Sequence, residues 1–293
     1  MRQDLSIWDR IKSKKDYLYI LPAVILVTVF FISSILFTLR LSFFSWDGFN
    51  EMQFVGFDNY VKLFQDSNFW VSVRNTGIWV VFSLVISLLM PLLLAIMIVN
   101  SRPAGLFKNI FYFPSTLSGT VAGLIMVSML SKYGIPQVFG LLGLNAWVKD
   151  WLAIPVLNTF VMIFMGTWTG IGMSMLLFIA GLRNMDRSSL EAAKIDGASG
   201  IKLYSRVVIP QLKTTTIVVL LMSLVNSFKV FDNIWVMTKG GPFRSSETLA
   251  LTVYTESFVR NNFGSGAAAA VFLTVIVLIV AYFNLRNTFK TDN

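Results

Sequence analysis

Residues able to do chemistry are few in this sequence, and the two most versatile types are missing. None of the 293 residues is histidine or cysteine, which excludes imidazole catalysis, thiol nucleophiles, disulfides and the commonest metal ligands. The sequence also lacks a glycine-rich phosphate-binding loop ending in Gly-Lys-Ser/Thr, and its carboxylates do not cluster. An enzyme is therefore disfavoured, and we expect no metal site. Any energy from nucleotide hydrolysis should enter through another subunit.

Polar groups suited to binding a solute are concentrated around one apolar run, residues 214–237. Lys229 and Asp232 lie three residues apart, so on a helix they would share one face and could pair. An unpaired charge at the centre of a bilayer costs about 2.5–3.5 kcal/mol, so both should face protein or water. The candidate substrate path combines them with nearby amide, hydroxyl and indole groups: Asn226, Lys229, Asp232, Asn233, Trp168, Thr169 and Ser174.

The competing interpretation of Lys229 and Asp232 is structural. Polar groups inside membranes often hold helices together, and this pair could instead organise the loop at residues 240–242, at the outer end of the helix. Uptake and binding assays on Asn226→Ala and Lys229→Ala would separate the two interpretations.

A second group of candidate residues lies in the charged connection 181–213. Ser188 and Glu191 form an S-x-x-E capping box, which predicts that a helix starts there. Gly197 follows a short helical run and fits a C-terminal cap position. The connection should therefore begin with a short helix that ends near residue 197.

A further helix should follow, because Ser199 can cap its start and Pro210 should end it. The two helices would form an elbow with small residues at its apex, which could enter a groove on a partner. The alternative is that Glu191 only caps its own helix and that the alanines only favour helix formation.

Long charge-free runs supply the elements that would position these residues. Hydrophobic residues make up 55% of the chain and charged residues only 13%, against roughly a quarter charged in average proteins. A helix needs about 20 apolar residues to cross a bilayer, whereas strands of a membrane barrel would alternate apolar and polar residues. We predict an all-α polytopic membrane protein with six transmembrane helices: residues 17–39, 76–99, 112–130, 155–180, 214–237 and 266–285.

The distribution of basic residues predicts the orientation. Basic residues favour the cytoplasmic side of a membrane, so both termini and the elbow should be cytoplasmic. The net charge of +9 then reflects topology, and no nucleic-acid partner is expected. Fifteen of the 24 Lys and Arg residues fall in segments 1–16, 100–111, 181–213 and 286–293, against eight in segments 40–75, 131–154 and 238–265.

The long extracytoplasmic segment 40–75 is rich in aromatic residues. Aromatic side chains collect at membrane–water interfaces, so the segment could lie along the bilayer surface. It could equally pack as a cap over the helix ends. Its aromatic residues include Trp46, Phe57, Tyr60, Phe64, Phe69 and Trp70.

Three stretches of the sequence resemble one family. The elbow string EAAKIDGA resembles the EAA signature of permease subunits of binding-protein-dependent ABC importers. The string TKGGPFRSSETLALTVYTESF at 238–258, followed by FGSGAAAAVFL, resembles the carbohydrate branch, of the maltose and glycerol-3-phosphate type. WTGIGMSMLLFIAGL at 168–182, which leads into the elbow, fits the same branch. The resemblance covers about residues 74–285, with residues 76–285 as a five-helix core and the first span as the branch's usual extra helix.

The resemblance implies a type I importer permease fold with cytoplasmic coupling helices, in a bacterial cytoplasmic (inner) membrane. The chain would form half of a translocation pathway for sugars, in particular oligosaccharides, and a second permease subunit would form the other half. An extracytoplasmic solute-binding protein would deliver the sugar. A separate ABC ATPase dimer would bind ATP and magnesium, while this chain would hold no cofactor and would not itself be an enzyme. The implied ATPase-coupling residues are Glu191, Ala192, Ala193, Asp196, Gly197 and Ala198.

The rival interpretation is a standalone secondary carrier or channel. Such proteins usually need ionisable groups inside the membrane for ion coupling, and Lys229 and Asp232 are the only clear candidates in the sequence. No inverted repeat is apparent, and the elbow would have no role. Uptake driven by an ion gradient, without any ATPase, would favour the carrier.

Overall fold

The computed structural model describes residues 14–99 and 101–290, and helices dominate them. The predicted all-α class is therefore confirmed. Almost all of the predicted N-terminal segment 1–16 and the end of the tail 286–293 lie outside the described residues.

The first transmembrane helix is nearly continuous but contains one wide turn. Helix α1 (Lys14–Val27) passes through a π-helical turn (Thr28–Ile32) into α2 (Ser33–Leu41). Its side chains from Tyr19 onward are exposed over almost the whole length, and α2 packs against the last helix of the chain. Apolar residues on every face indicate that this helix contacts lipid or another protein.

The outer segment 40–75 folds as a cap. Antiparallel strands β1 (Phe44–Ser45) and β2 (Gln53–Phe54) precede the short helix α3 (Asp58–Gln65). The buried side chain of Asn59 donates two hydrogen bonds of 2.9 Å to carbonyls of the preceding turn and strand. The segment is therefore packed onto the helices in part, while Phe57, Phe64 and Trp70 stay exposed, so the interpretation as a segment along the bilayer surface stays a prediction.

Helix α4 (Ser67–Val99) is 33 residues long and begins well before the predicted span 76–99. Asp66 explains the early start, because its carboxylate accepts the N–H of Asn68 at 2.9 Å and so caps the helix. A helix of this length measures about 50 Å, which exceeds the roughly 30 Å hydrocarbon core.

The third span is broken where a continuous helix was predicted over residues 112–130. Pro114 has no N–H and interrupts the hydrogen-bond ladder. The side chain of Ser118 then caps a new helix start. The observed elements are α5 (Ala104–Tyr112), a 3₁₀ turn (Phe113–Thr116) and α6 (Gly119–Leu130).

The connection from α6 to the fourth span is itself folded. It contains α7 (Ile135–Leu141) and two 3₁₀ turns (Asn145–Trp147 and Trp151–Ala153). The fourth span, α8 (Leu157–Arg183), is close to the predicted range 155–180.

The connection 181–213 forms the predicted helix–turn–helix elbow, although Ser199, at the N-cap position of its second helix, makes no capping hydrogen bond with its side chain. Helix α9 (Arg187–Ile195) is followed by a turn and then by an arm, residues 200–211. The arm ends one residue beyond Pro210, where the chain bends by 74° into the next helix. The arm consists of α10 (Gly200–Leu203), a π-helical turn (Tyr204–Val208) and α11 (Ile209–Gln211).

The fifth span is two helices, so the prediction of one continuous helix over residues 214–237 was wrong. Helix α12 (Lys213–Phe228) ends, three residues are non-helical, and α13 (Asp232–Met237) begins. Non-helical backbone at membrane depth is tolerated where it is buried in protein or lines a cavity. The break therefore suggests a cavity next to Lys229.

The last part of the chain forms a closely packed helix pair. Helix α14 (Leu249–Tyr254) continues through a π-helical turn (Thr255–Val259), and α15 (Phe263–Lys290) follows. A Cβ atom at Gly266 would lie 2.0 Å from the hydroxyl of Ser257, so only glycine permits this approach.

The protein is a multi-pass membrane protein. Five helical segments are long and apolar enough to cross a bilayer, and the bent pair of arm and α12 makes six if it counts as one span. The count of six agrees with the sequence, but the bounds differ, because the sixth candidate joins α12, which is only 16 residues long, to the arm, which the sequence places in the connection before the span.

Helices α4 and α8 form the central pair of the fold, and α12 packs beside α4. Buried side chains collect in two clusters along this pair. The outer cluster includes Trp79, Met162 and Ile234, and the elbow-side cluster includes Phe178 and Leu212. Polar residues are concentrated between the two clusters.

Candidate functional site

A cavity of about 320 Å³ lies at the centre of the helix bundle. Helices α4, α8 and α12, together with the break in the fifth span, form its walls. We call it the central cavity. Its lining residues are Trp79, Ser83, Ser87, Gly166, Thr167, Thr169, Gly170, Met173, Ser174, Met222, Ser223, Asn226, Ser227, Val230 and Asn233.

Helical spacing explains why these side chains meet. Trp79, Ser83 and Ser87 recur every four residues, so they form one stripe along α4. On α8, a Cβ atom at Gly166 would lie 3.1 Å from the side-chain nitrogen of Asn233 and 3.5 Å from the ring of Trp79. Glycine at this position therefore allows the walls to approach each other.

Most polar side chains of the cavity have no partner within the chain. In the described part of the chain, six of them make no hydrogen bond, whereas the hydroxyls of Thr167, Thr169 and Ser227 donate to carbonyls of their own helices. The indole N–H of Trp79 is also buried without a partner. A buried donor such as this indole is costly unless something hydrogen-bonds to it, whereas the six side chains are open to the cavity. The six are Ser83, Ser87, Ser174, Ser223, Asn226 and Asn233.

The structure brings together part of the predicted substrate path. Thr169, Ser174, Asn226 and Asn233 line the central cavity. Trp168 belongs to α8 but is not among the lining residues, and the charged residues Lys229 and Asp232 also lie outside the lining.

The predicted pairing of Lys229 with Asp232 is wrong. Their i, i+3 spacing places them on one face only in a continuous helix, and the helix is broken between them. Both side chains are exposed, and no ion pair joins them in the described structure. The Asp232 side chain instead packs beside the start of α6, where a Cβ atom at Gly119 would be 3.2 Å away.

The sequence-based prediction missed the contribution of α4. Trp79, Ser83 and Ser87 lie inside the predicted second span, where isolated hydroxyls were given no role. Their four-residue spacing in an otherwise apolar helix could have predicted that they line a polar cavity.

Another ion pair organises the Gly-Gly-Pro loop that Lys229 and Asp232 were expected to order. Arg244 donates two hydrogen bonds to the buried carboxylate of Glu247, and the second, from Nη2 to Oε1, measures 2.8 Å. Asp66 adds a longer contact of 3.5 Å from before α4. The hydrogen bonds to Glu247 raise the pKa of the Arg244 guanidinium above its ordinary value.

Two buried asparagines hold the same loop against the transmembrane helices. Asn75 of α4 donates to the carbonyls of Ser245 and Glu247 at 2.7 and 2.9 Å. Asn158 at the start of α8 donates to the carbonyl of Gly241 at 2.9 Å. The loop is therefore fixed relative to both helices of the central pair.

The start of the elbow differs from the predicted capping box. The N-cap residue is Asp186, whose carboxylate accepts the N–H groups of Ser188 and Ser189 at 3.0 and 3.3 Å. Ser188 is thus inside the first turn, and its own hydroxyl also donates to Asp186. Hydrogen bonds from Ser189 and Ser188 lower the pKa of Asp186 from 3.8 to about 2.

The end of the elbow helix has the predicted glycine cap. Gly197 has φ of +82°. Its N–H donates to the carbonyl of Lys194, and the N–H of Ala198 donates to that of Ala193 at 2.9 Å. This pair of hydrogen bonds is the Schellman motif.

The elbow presents its apex to solvent. Glu191, Ala192, Asp196 and Gly197 are exposed, whereas Ala193 and Ala198 are half-buried. Of the apolar residues expected to offer contact area, Ile195 and Ile201 are 86% and 87% exposed. Leu190 and Leu203 turn inward and are half-buried.

Comparison with known proteins relates the chain to transport systems. Residues 79–289 match the family described as binding-protein-dependent transport system inner membrane component. The chain is 35% identical to a probable ABC transporter permease protein of Pyrococcus horikoshii, over 94% of this chain and 96% of that protein. It is 33% identical to the lactose transport system permease protein LacF of Rhizobium radiobacter, with 90% of each covered. It is 30% identical to the arabinooligosaccharides transport system permease protein AraP of Bacillus subtilis, over 94% and 88%.

The fold is also found in a solved transporter. One chain in the crystal structure of a bacterial ABC transporter involved in the import of the acidic polysaccharide alginate superimposes with a TM-score of 0.83. The sequences are 23% identical, and the alignment covers 97% of this chain and 98% of that chain. The predicted importer permease fold is thereby confirmed.

Proposed function

The chain belongs to the family of binding-protein-dependent transport system inner membrane components, and on that premise we propose that it forms half of the translocation pathway of an ATP-driven sugar importer. Relatives named for lactose and arabinooligosaccharide transport support a sugar substrate, and the second of them supports an oligosaccharide. A second permease subunit would supply the other half of the pathway.

One observation carries the proposal: the central cavity offers uncharged hydrogen-bonding groups that have no partner within the chain. Neutral sugars are rich in hydroxyls, so they can satisfy the amides of Asn226 and Asn233 and the serine hydroxyls around them. Met173, which is half-exposed, adds apolar surface for the faces of the sugar ring. The cavity is only partly enclosed by this chain, which suits a path shared with a partner.

The charges around the cavity favour a neutral sugar. None of the residues that line it is Asp, Glu, Lys or Arg. An acidic sugar would require a cation in the wall, since carboxylates are bound most strongly by Arg and Lys. Lys229 is the nearest candidate in sequence, and it lies outside the lining.

The elbow would connect this path to the energy source. We propose that Glu191, Ala192, Ala193, Asp196, Gly197 and Ala198 contact a separate ABC ATPase dimer that binds ATP and magnesium. Exposed Ile195 and Ile201 support this role, because apolar side chains that are 86% and 87% exposed favour burial against a partner. This chain would contribute no catalytic residue to the hydrolysis.

The orientation follows from the positive-inside rule. Both termini and the elbow would lie in the cytoplasm, and the folded cap 40–75 and the Gly-Gly-Pro loop would face outward. An extracytoplasmic solute-binding protein would meet that outer surface and deliver the sugar.

Uptake by the reconstituted importer tests the proposal. Lactose, raffinose, maltotriose and arabinotriose would first be screened to find a transported sugar. Asn226→Leu should then raise the KM for that sugar about tenfold, because one or two hydrogen bonds of about 0.5–1.5 kcal/mol each are lost. ATP hydrolysis at saturating sugar should change little.

Ser128→Leu is the matched control, because Ser128 lies on α6 outside the cavity and donates only to the carbonyl of Leu124. It should leave the KM unchanged. An unchanged KM in Asn226→Leu and in Ser223→Leu would contradict the proposed sugar path.

A further inference from the structure

A second cavity, of about 490 Å³, lies at the elbow end of the same helices. We call it the elbow-side cavity. It is an open depression lined by the end of α8, the start of α9, the end of the arm and the start of α12. Its polar lining residues are Asn184, Asp186, Gln211, Thr214 and Thr215.

The two cavities share helical faces. On α8 the lining continues at intervals of three or four residues from Gly170 through Leu177 to Asn184, and on α12 it continues from Thr215 to Asn226. About ten residues separate the two levels on each helix, which corresponds to about 15 Å. The cavities therefore lie one behind the other along one path.

The chemistry of the elbow-side cavity repeats that of the central cavity. Asn184, Gln211, Thr214 and Thr215 carry uncharged polar side chains, and within the described ranges none of these side chains makes a hydrogen bond. The one carboxylate in the lining, Asp186, already accepts hydrogen bonds from Ser188 and Ser189. The groups that remain available match sugar hydroxyls.

The walls of the elbow-side cavity are held at a fixed distance. A Cβ atom at Gly181 would lie 2.7 Å from the hydroxyl oxygen of Thr215 and 2.8 Å from Leu212. Leu212 is itself fully buried in the elbow-side cluster. Helices α8 and α12 therefore meet closely at Gly181 and Thr215, which both line this cavity.

An apolar neck separates the two polar levels. Met173 and Leu177 lie one turn apart on α8, and Val218 and Met222 lie one turn apart on α12. Met173 and Met222 line the central cavity, and Leu177 and Val218 line the elbow-side cavity. Flexible methionine side chains can move aside for a passing solute at little cost.

We propose that the elbow-side cavity is a second carbohydrate-binding station, which a sugar occupies after passing the neck and before it leaves the protein. The inference rests on the proposed function, since it assumes that the central cavity carries sugar. It adds a binding site for the same class of neutral sugar at the cytoplasmic exit. Sugar that accumulates in the cytoplasm then reoccupies this station and slows further transport.

Thiol labelling can test the station directly, because the chain has no cysteine of its own. Thr215→Cys places a thiol in the elbow-side cavity, Ser223→Cys places one in the central cavity, and Ser205→Cys places one on the exposed surface of the arm. Labelling by a water-soluble methanethiosulfonate is measured without ATP, in an importer whose other subunits lack cysteine. The probe is whichever of lactose, raffinose, maltotriose and arabinotriose supports uptake.

Protection of Thr215→Cys by the sugar is the expected result. At a concentration about four times the dissociation constant of the station, occupancy slows labelling about fivefold. Ser205→Cys should label at the same rate with and without sugar. Protection of Ser223→Cys without protection of Thr215→Cys would overturn the station but keep the proposed function. Protection of neither cavity thiol would contradict both, and equal protection of all three would show a general conformational change and overturn the station.

A second measurement does not depend on introduced thiols. Sugar enclosed with ATP in proteoliposomes, on the elbow side, should slow uptake by the unsubstituted protein. The shape-conserving double substitution Thr214→Val and Thr215→Val removes both hydroxyls and should raise the enclosed concentration needed for half-inhibition several-fold. An unchanged concentration would contradict a station at these residues.

Discussion

At the residue scale, buried polar side chains hold the Gly-Gly-Pro loop in place, whereas the exposed charges of Lys229 and Asp232 do not. Glu247 is only 3% exposed, and it receives hydrogen bonds from Arg244 and, at 2.8 Å, from the hydroxyl of Thr252. A buried carboxylate is costly unless it is fully hydrogen-bonded. Glu247 therefore links the loop to α14, and loss of either partner would leave a buried charge incompletely hydrogen-bonded.

Glu247→Gln should destabilise the protein by about 2–4 kcal/mol, because it leaves the guanidinium of Arg244 without its main counter-charge in a partly desolvated site. A lower midpoint of thermal unfolding in detergent would show this. Asp58→Asn is the control: it breaks the Asp58–Lys62 pair, whose side chains are 47% and 68% exposed, and should cost less than about 1 kcal/mol. Equal effects of the two substitutions would contradict a special role for Glu247.

Residue types predicted part of the central cavity, and helical spacing would have predicted more. Asn226, Asn233, Thr169 and Ser174 were chosen because uncharged polar groups are rare in these spans, and they line the cavity. Lys229 and Asp232 were chosen because charges in membranes are usually functional. That inference required an unbroken helix, and no proline or glycine at residues 229–231 marks the break.

At the element scale, glycine caps end two short helices on opposite sides of the predicted membrane. Gly197 ends α9 with φ of +82°, and Gly143 follows α7 with φ of +80°. At both, the N–H of the next residue bonds back to the helix, and a Cβ atom would meet nothing within 4 Å. A given substitution should therefore cost the same free energy of unfolding at Gly197 and at Gly143. A loss of function at Gly197 alone then cannot be caused by lower stability.

Gly197→Trp should uncouple ATP hydrolysis from sugar uptake, because bulk at the elbow apex would prevent its seating in the ATPase. Adding charge reversal at Glu191 should deepen the loss. Both Gly197→Trp and the control Gly143→Trp should cost about 1–2 kcal/mol, since a side chain disfavours left-handed backbone. Hydrolysis and uptake measured together give the result. Normal uptake in Gly197→Trp, or equal uncoupling in Gly143→Trp, would refute the docking role.

The start of α9 should depend on pH through Asp186. Its pKa is lowered from 3.8 to about 2 in the folded protein. The ionised carboxylate therefore stabilises the helix fully when the pH is above 3.8. That stabilisation is lost as the pH falls through this window. Amide hydrogen exchange of residues 188–191, corrected for intrinsic rates, should show protection decreasing between the two pKa values. Asp186→Asn keeps a good N-cap but should remove the pH dependence. If protection decreased similarly in the variant and in the unsubstituted protein, the role of Asp186 would be contradicted.

Element positions were predictable where apolar length alone decides, and less so where side chains cap or interrupt helices. The fourth span was placed within a few residues because nothing interrupts it. The third span was misjudged because Pro114 and the capping Ser118 divide it. At the elbow, Asp186 and Ser188 are both good N-caps, and only the backbone geometry shows that the helix begins at the earlier one.

At the scale of the whole molecule, the chain provides one side of a path. Both polar cavities are formed by the same faces of α8 and α12, and no charged residue of the described chain joins the central one. An ion-coupled carrier usually needs ionisable groups inside the membrane to couple ion and solute movement. The membrane-level charges, Lys229 and Asp232, are separated and exposed.

The chain reconstituted without other subunits should therefore not accumulate sugar in response to a proton or sodium gradient. Radiolabelled lactose or maltotriose in proteoliposomes provides the measurement, and the complete importer supplied with ATP is the positive control. Uptake by the isolated chain that collapses with an ionophore would favour a secondary carrier.

The bend between the arm and α12 has a mechanical consequence. Leu212 lies at the 74° bend and is 1% exposed, so the surrounding core holds it as a fulcrum. The arm, residues 200–211, is about 18 Å long. If its far end moves by about 3 Å, the arm rotates about Leu212 by about 10°. Because α12 continues from the same pivot, a movement of the arm would be passed to the helix that lines both cavities.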